Sequence, residues 1–143
     1  DIYKLLHKNK EEEEVLRLAL NDLKIAPKCA LRLSDLLFDR GDYEEALTLI
    51  QRGLRDAMQT QSSVNEGYLY YLMGLTKMAL AQQAGTPISE ETAYEIYADL
   101  DISLRQEHRA AYVNTMKAKT IVLVNKSGVP IPEKYEELNY LVQ

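Results

Sequence analysis

The sequence predicts an all-α chain built from antiparallel helix pairs, and three observations carry that prediction. Apolar and small residues recur every three to four positions from Ala30 to Leu37 and again from Ala46 to Leu54, the spacing of one buried stripe on a helix. Gly41-Asp42 stands between the two runs and breaks the helix where the chain must fold back. A second turn-rich stretch, Gln82 to Ser89 (QQAGTPIS), separates the next two helical runs.

Taken in order, Ile2 to His7 reads as the stump of a helix, and Val15, Ala19 and Pro27 as the end of that helix's partner. In the pair that follows, Asp42 and Glu45 form a D-x-x-E capping box for the second helix. Ser63-Val64-Asn65-Glu66 supplies a similar box for a helix carrying Tyr70, Met73 and Gly74, and Ala93 with Tyr97 marks its partner beyond the loop. Glu107 to Lys126 and Glu133 to Val142 read as one more helix pair, the latter started by Pro132 in a first-turn position. Thr120 to Val124 (TIVLV) is β-branched and is where a strand competes; helix is retained because Ala110 to Lys119 runs into it without a breaker.

These positions resemble the tetratricopeptide repeat (TPR) family. Ala30, Leu33, Ser34 and Leu37 fall on its W-x2-L-G-x2-Y half and Ala46 with Ile50 on its A-x3-F half. Tyr70, Met73 and Gly74 repeat the first half, with Lys77 departing from the usual large apolar residue, and Val15, Ala19 and Pro27 fall at the A-x3-F…P spacing. The resemblance covers roughly residues 2 to 104. It implies a TPR-like α-α superhelix, 1–143 as one repeat domain: 2–27 a partial first repeat, 28–60 the best repeat, 63–104 a second with an inserted loop, and 105–143 a degenerate repeat or capping helices. Asp1 inside a half-repeat points to a piece of a longer repeat array, so the missing signal peptide says nothing about targeting.

A length of 143 residues suffices for one domain with a substantial core, and 46% hydrophobic with 27% charged residues is ordinary for a globular chain. No apolar run reaches the ~18 residues of a spanning helix, so no membrane partner is expected. A formal net charge of −5 with scattered basic residues argues against nucleic acid. One cysteine, Cys29, forbids an internal disulfide and reads as a small buried residue; it fits an intracellular protein, cytoplasmic or nuclear.

Nothing in the sequence carries catalysis. His7 and His108 lack metal-ligand spacing to any Cys or carboxylate, and no phosphate-cradling or nucleophile motif is present, so neither metal nor cofactor is expected. The clusters Glu11 to Glu14, Glu44-Glu45, Glu90-Glu91 and Glu136-Glu137 read as helix-start residues favoured by the dipole.

The TPR resemblance implies a concave groove lined by the first helix of each pair. Its lining would be Lys28, Leu31, Asp35, Phe38 and Asp39 from one repeat, and Tyr68, Tyr71, Leu75, Met78 and Ala79 from the next. TPR proteins that clamp the C-terminal carboxylate of heat-shock chaperones use Lys, Asn and Arg there; Leu31, Asp35, Tyr71 and Leu75 do not serve that role. The expectation is a non-catalytic interaction module that binds a protein or peptide segment with apolar anchors and some Lys or Arg. The competing expectation is a structural segment of a larger TPR scaffold in a multiprotein assembly, with the same side chains buried by Glu107 to Val142 or by a neighbouring repeat. Apolar residues at Ile2, Leu5 and Leu6, or at Leu138, Leu141 and Val142, are where a homo-oligomer would form.

Overall fold

The computed structural model describes residues 2–22, 25–60, 66–107 and 109–143, with side chains from Lys8 onward. Among them are seven α-helices and no strand. They divide into two compact units, Asp1–Asn65 and Glu66–Gln143.

The first unit holds α1 (Ile2–Ala19), α2 (Ala26–Arg40) and α3 (Tyr43–Gln59). Its core is the α2–α3 pair, in which Ala30, Leu33 and Leu37 meet Ala46 and Leu49, joined by Cys29 and Leu20. The buried set on α2 is the set that the helical spacing selects, because one stripe faces α3 and the opposite stripe faces away. Between the two helices Gly41 takes a left-handed conformation at φ 85°. Its N–H donates to the Phe38 carbonyl at 3.0 Å and the Asp42 N–H to the Leu37 carbonyl at 2.9 Å, the paired bonds of a Schellman motif. Gly41→Ala places a Cβ in that conformation and is expected to cost about 1 kcal/mol, read as a lower urea midpoint at unchanged m-value.

The expected capping box at Asp42 and Glu45 does not form. Asp42 occupies the cap position without a side-chain bond to the helix, at φ −84° and ψ 64°, because its backbone is committed to closing the Schellman turn. Its carboxylate takes Arg40 Nε at 3.2 Å instead, and Glu45 takes Arg17 at 2.7 Å.

Two expectations for the start of the chain are also corrected. Ile2 to His7 is not a separate stump: α1 is one helix of 18 residues, since no Gly or Pro interrupts a run rich in Lys, Glu and Leu. Val15 is 65% exposed and so does not fill the apolar position that a second repeat helix requires, while Pro27 opens α2 rather than closing a repeat. Glu11 to Glu14 lies mid-helix, away from the dipole's positive end. Two of these acids reach across to α2: Glu12 takes Arg32 and Glu13 takes Arg40, both at 2.7 Å. Those guanidiniums hold Glu12 and Glu13 below the usual carboxylate range. Exposed pairs of this kind contribute little to stability, so α1 is oriented by charge and anchored by Leu16 and Ala19 on the core.

The second unit holds α4 (Glu66–Gln83), α5 (Glu90–Gln106), α6 (Ala110–Ser127) and α7 (Glu136–Val142). Helix α5 is central, packing on α4, α6 and α7. Leu69 and Leu72 of α4, Ile96, Tyr97 and Leu100 of α5, Met116 and Leu123 of α6 and Leu138 of α7 are buried. Ser89 caps α5, its hydroxyl accepting from the Thr92 N–H at 3.1 Å, so the loop expected from Gln82 to Ser89 ends where expected. The Ser63 to Glu66 box lies outside the described residues except for Glu66, the first residue of α4; His108 is outside them too.

TIVLV is helical, inside α6: the Thr120 hydroxyl donates to the Met116 carbonyl at 2.7 Å and Leu123 is buried, so helical bonding and packing outweigh a weak β preference. Helix α6 starts at Ala110 rather than Glu107, whose extended backbone ends α5. Helix α7 is shorter than the expected 133–142, and Pro132 is not in its first turn. The Pro132 carbonyl instead accepts the Tyr135 N–H at 3.1 Å and Asn139 Nδ2 at 2.9 Å, fastening the approach to α7. Leu138, expected at an exposed edge, is fully buried, and Leu141 and Val142 are half-buried. Ile2, Leu5 and Leu6 lie outside the described side chains.

Candidate partner-binding surfaces

On α2 the stripe opposite the core carries the expected groove residues of the first unit. Lys28 and Asp39 are exposed, and Leu31, Asp35 and Phe38 are half-buried. Phe38 lies edge-on to Tyr43 with ring centroids 5.1 Å apart, which fixes the ring at the base of α3. Burial pushes the Asp35 carboxyl above its ordinary range, Asp39 adds to the rise, and Arg32 opposes it. Arg32 is held by Glu12 at 2.7 Å, so its charge is shared.

On α4 the expected residues are enclosed to a greater degree. Tyr71 and Met78 are buried, and Tyr68 and Leu75 are half-buried. The cover is Tyr112 of α6, whose ring centroid lies 5.3 Å from that of Tyr71 and 6.3 Å from that of Tyr68. The Tyr112 hydroxyl bonds the Ser103 hydroxyl, which donates to the Gly67 carbonyl at 2.5 Å. Burial raises the Tyr112 hydroxyl well above the usual range, which keeps it protonated as a donor. Cover by the Glu107 to Val142 segment was one of the two expectations for these side chains; that Tyr112 supplies it is not legible in the spacing, because its partner Ser103 sits on another helix.

No family model matches the chain, and no curated protein or solved structure matches it. Local geometry is therefore what speaks to chemistry. Among the described residues no group of three or more His, Cys, Asp or Glu is placed to hold a metal ion, and no helix is long and apolar enough to cross a membrane. The Cys29 thiol is buried and raised by that burial, which disfavours the reactive thiolate.

Two features escaped the sequence. Lys77, a departure from the repeat pattern, reaches the buried Asp99 of α5 with Nζ 2.8 Å from Oδ2; the spacing of 77 and 99 carries no signal of this. An open groove of about 940 Å³ runs between α5, α6 and α7, bounded by Leu104, Val113, Lys117, Glu137, Tyr140 and Leu141. Leu141 was the single hint of it.

Proposed function

We propose that this chain is a non-catalytic, TPR-like protein-interaction module that receives a segment of a partner protein on the outward face of α2. The observation that carries this reading is Asp35: a carboxylate half-buried on the face that carries Leu31 and Phe38, raised by burial and by Asp39, while Arg32, which opposes the rise, is bonded to Glu12. A Lys or Arg of a partner supplies the missing counter-charge while apolar anchors cover Leu31 and Phe38. The formal charge of −5 fits a basic segment and opposes nucleic acid. The superhelical repeat arrangement is part of the same proposal. It is supported by the α2–α3 and α4–α5 pairs and by the small residues Ala30, Ala46 and Gly74 buried at their contacts.

A second reading, a structural segment of a larger scaffold without a free peptide, is favoured by the burial of Tyr71 and Met78 and by Tyr112 above Tyr71. Cross-linking in lysate with the chain as bait, followed by affinity measurement on the recovered partner, separates the two. The variant Asp35→Lys, Asp39→Lys is expected to weaken binding at least ~10-fold, about 1.4 kcal/mol, with the helical circular dichroism signal unchanged. Unaltered affinity would remove α2 from the binding face and leave the scaffold reading.

A further inference from the structure

The groove between α5, α6 and α7 belongs to the second unit alone, and the α2 face plays no part in it. Its floor is apolar, formed by Leu104, Val113 and Leu141. Tyr140 stands over one edge with 82% of its surface exposed, and Leu141 and Val113 are half-buried.

The two walls differ in charge. Glu136 and Glu137 line the α7 side, Lys117 the α6 side, and none of the three makes an ion pair among the described residues. Of the two cations beside the acidic wall, Arg105 is held by the buried Asp101 at 3.0 Å and Lys134 sits over the Tyr135 ring, 5.2 Å from its centroid, without an ion pair to either glutamate. Burial pushes the Asp101 carboxyl upward, Arg105 opposes the rise, and Glu137 adds to it, so Glu137 is close enough for its charge to be felt there. Size and lining argue against a small metabolite, since the groove lacks a convergent set of buried polar groups to orient one. No strand edge exists among the described residues, so an extended peptide would find no backbone to pair with, whereas a helix satisfies its own hydrogen bonds and offers an apolar stripe.

We infer that this groove docks an amphipathic helix of a partner protein, its apolar stripe on Leu104, Val113 and Leu141 and its Lys or Arg flank against Glu136 and Glu137. Tyr140 then closes over the helix as an aromatic anchor with a polar tip.

The test uses the isotope-labelled 143-residue chain and two synthetic amphipathic helical peptides with the same leucine stripe, one with lysine and one with glutamate on the polar face. The lysine peptide is expected to shift the amide resonances of Val113, Asn114, Lys117, Tyr140 and Leu141, and the glutamate peptide to leave them in place. Glu136→Gln, Glu137→Gln should weaken the lysine peptide several-fold with the helical circular dichroism signal retained, while Asp35→Lys leaves it unaffected. Equal binding of both peptides, shifts elsewhere, or no shifts overturns the proposal. So does sedimentation showing that a second copy of the chain fills the groove at the concentrations used.

Discussion

Gly74→Leu is expected to destabilise the second unit by about 3 kcal/mol, the upper end of overpacking costs, and to lower its melting temperature by roughly 12–24 °C. A Cβ at Gly74 would lie 3.1 Å from Leu100 Cδ2, 3.4 Å from its Cγ and 3.6 Å from Ile96 Cγ2. The first distance is closer than carbon atoms settle in a packed core, and three further heavy atoms of leucine have nowhere to go, because Ile96 and Leu100 are themselves fully buried. Gly74→Ala provides the control. Alanine gains about 1 kcal/mol in helix propensity and asks Leu100 to yield only a few tenths of an ångström, so it should fall near the parent. A leucine variant that melts with the parent would show that α4 and α5 do not approach at Gly74.

Lys77→Met is expected to cost about 3 kcal/mol by leaving Asp99 buried without its cation. That is the low end for breaking a buried pair, since Lys77 keeps a fifth of its side chain in water. The double variant Lys77→Met, Asp99→Leu should recover most of the loss, because no charge is then left to desolvate. Burial already holds the Asp99 carboxyl above its unfolded value near 3.8, with Lys77 pulling it down. A carboxyl whose folded-state value is raised contributes most below the unfolded value and loses that contribution as pH rises through the folded value. Removing Lys77 widens the interval. Stability of Lys77→Met relative to the parent should therefore improve between pH 7 and pH 5, measured by urea denaturation. A difference independent of pH would place the cost in lost packing rather than in the uncompensated carboxylate.

Helix content was legible wherever apolar spacing and chain breakers agreed. The buried stripe of α2, the Gly41 turn and the Ser89 start of α5 follow from local rules acting over a few residues. Where two local rules competed, tertiary bonding chose between them: Asp42 carries a capping side chain, yet the Schellman turn took its backbone and Arg40 its carboxylate. Pro132 is a good first-turn residue, yet its carbonyl was needed to hold Asn139. The groove residues show the same division. Their helical face was readable from spacing, whereas the degree of burial of Tyr71 depends on Tyr112, forty-one residues away in the chain.

By itself, then, the sequence determined the all-helical class, the α2–α3 and α4–α5 pairs and the buried position of Cys29, because 3.6-residue periodicity and turn chemistry are encoded in neighbouring residues. Only the tertiary structure decided that Lys77 meets Asp99, that Tyr112 roofs Tyr71 and that α5, α6 and α7 leave a charged-walled groove. Each of those depends on side chains from different helices meeting at a few ångströms, and such meetings are set by packing of the whole unit rather than by any periodicity along the chain.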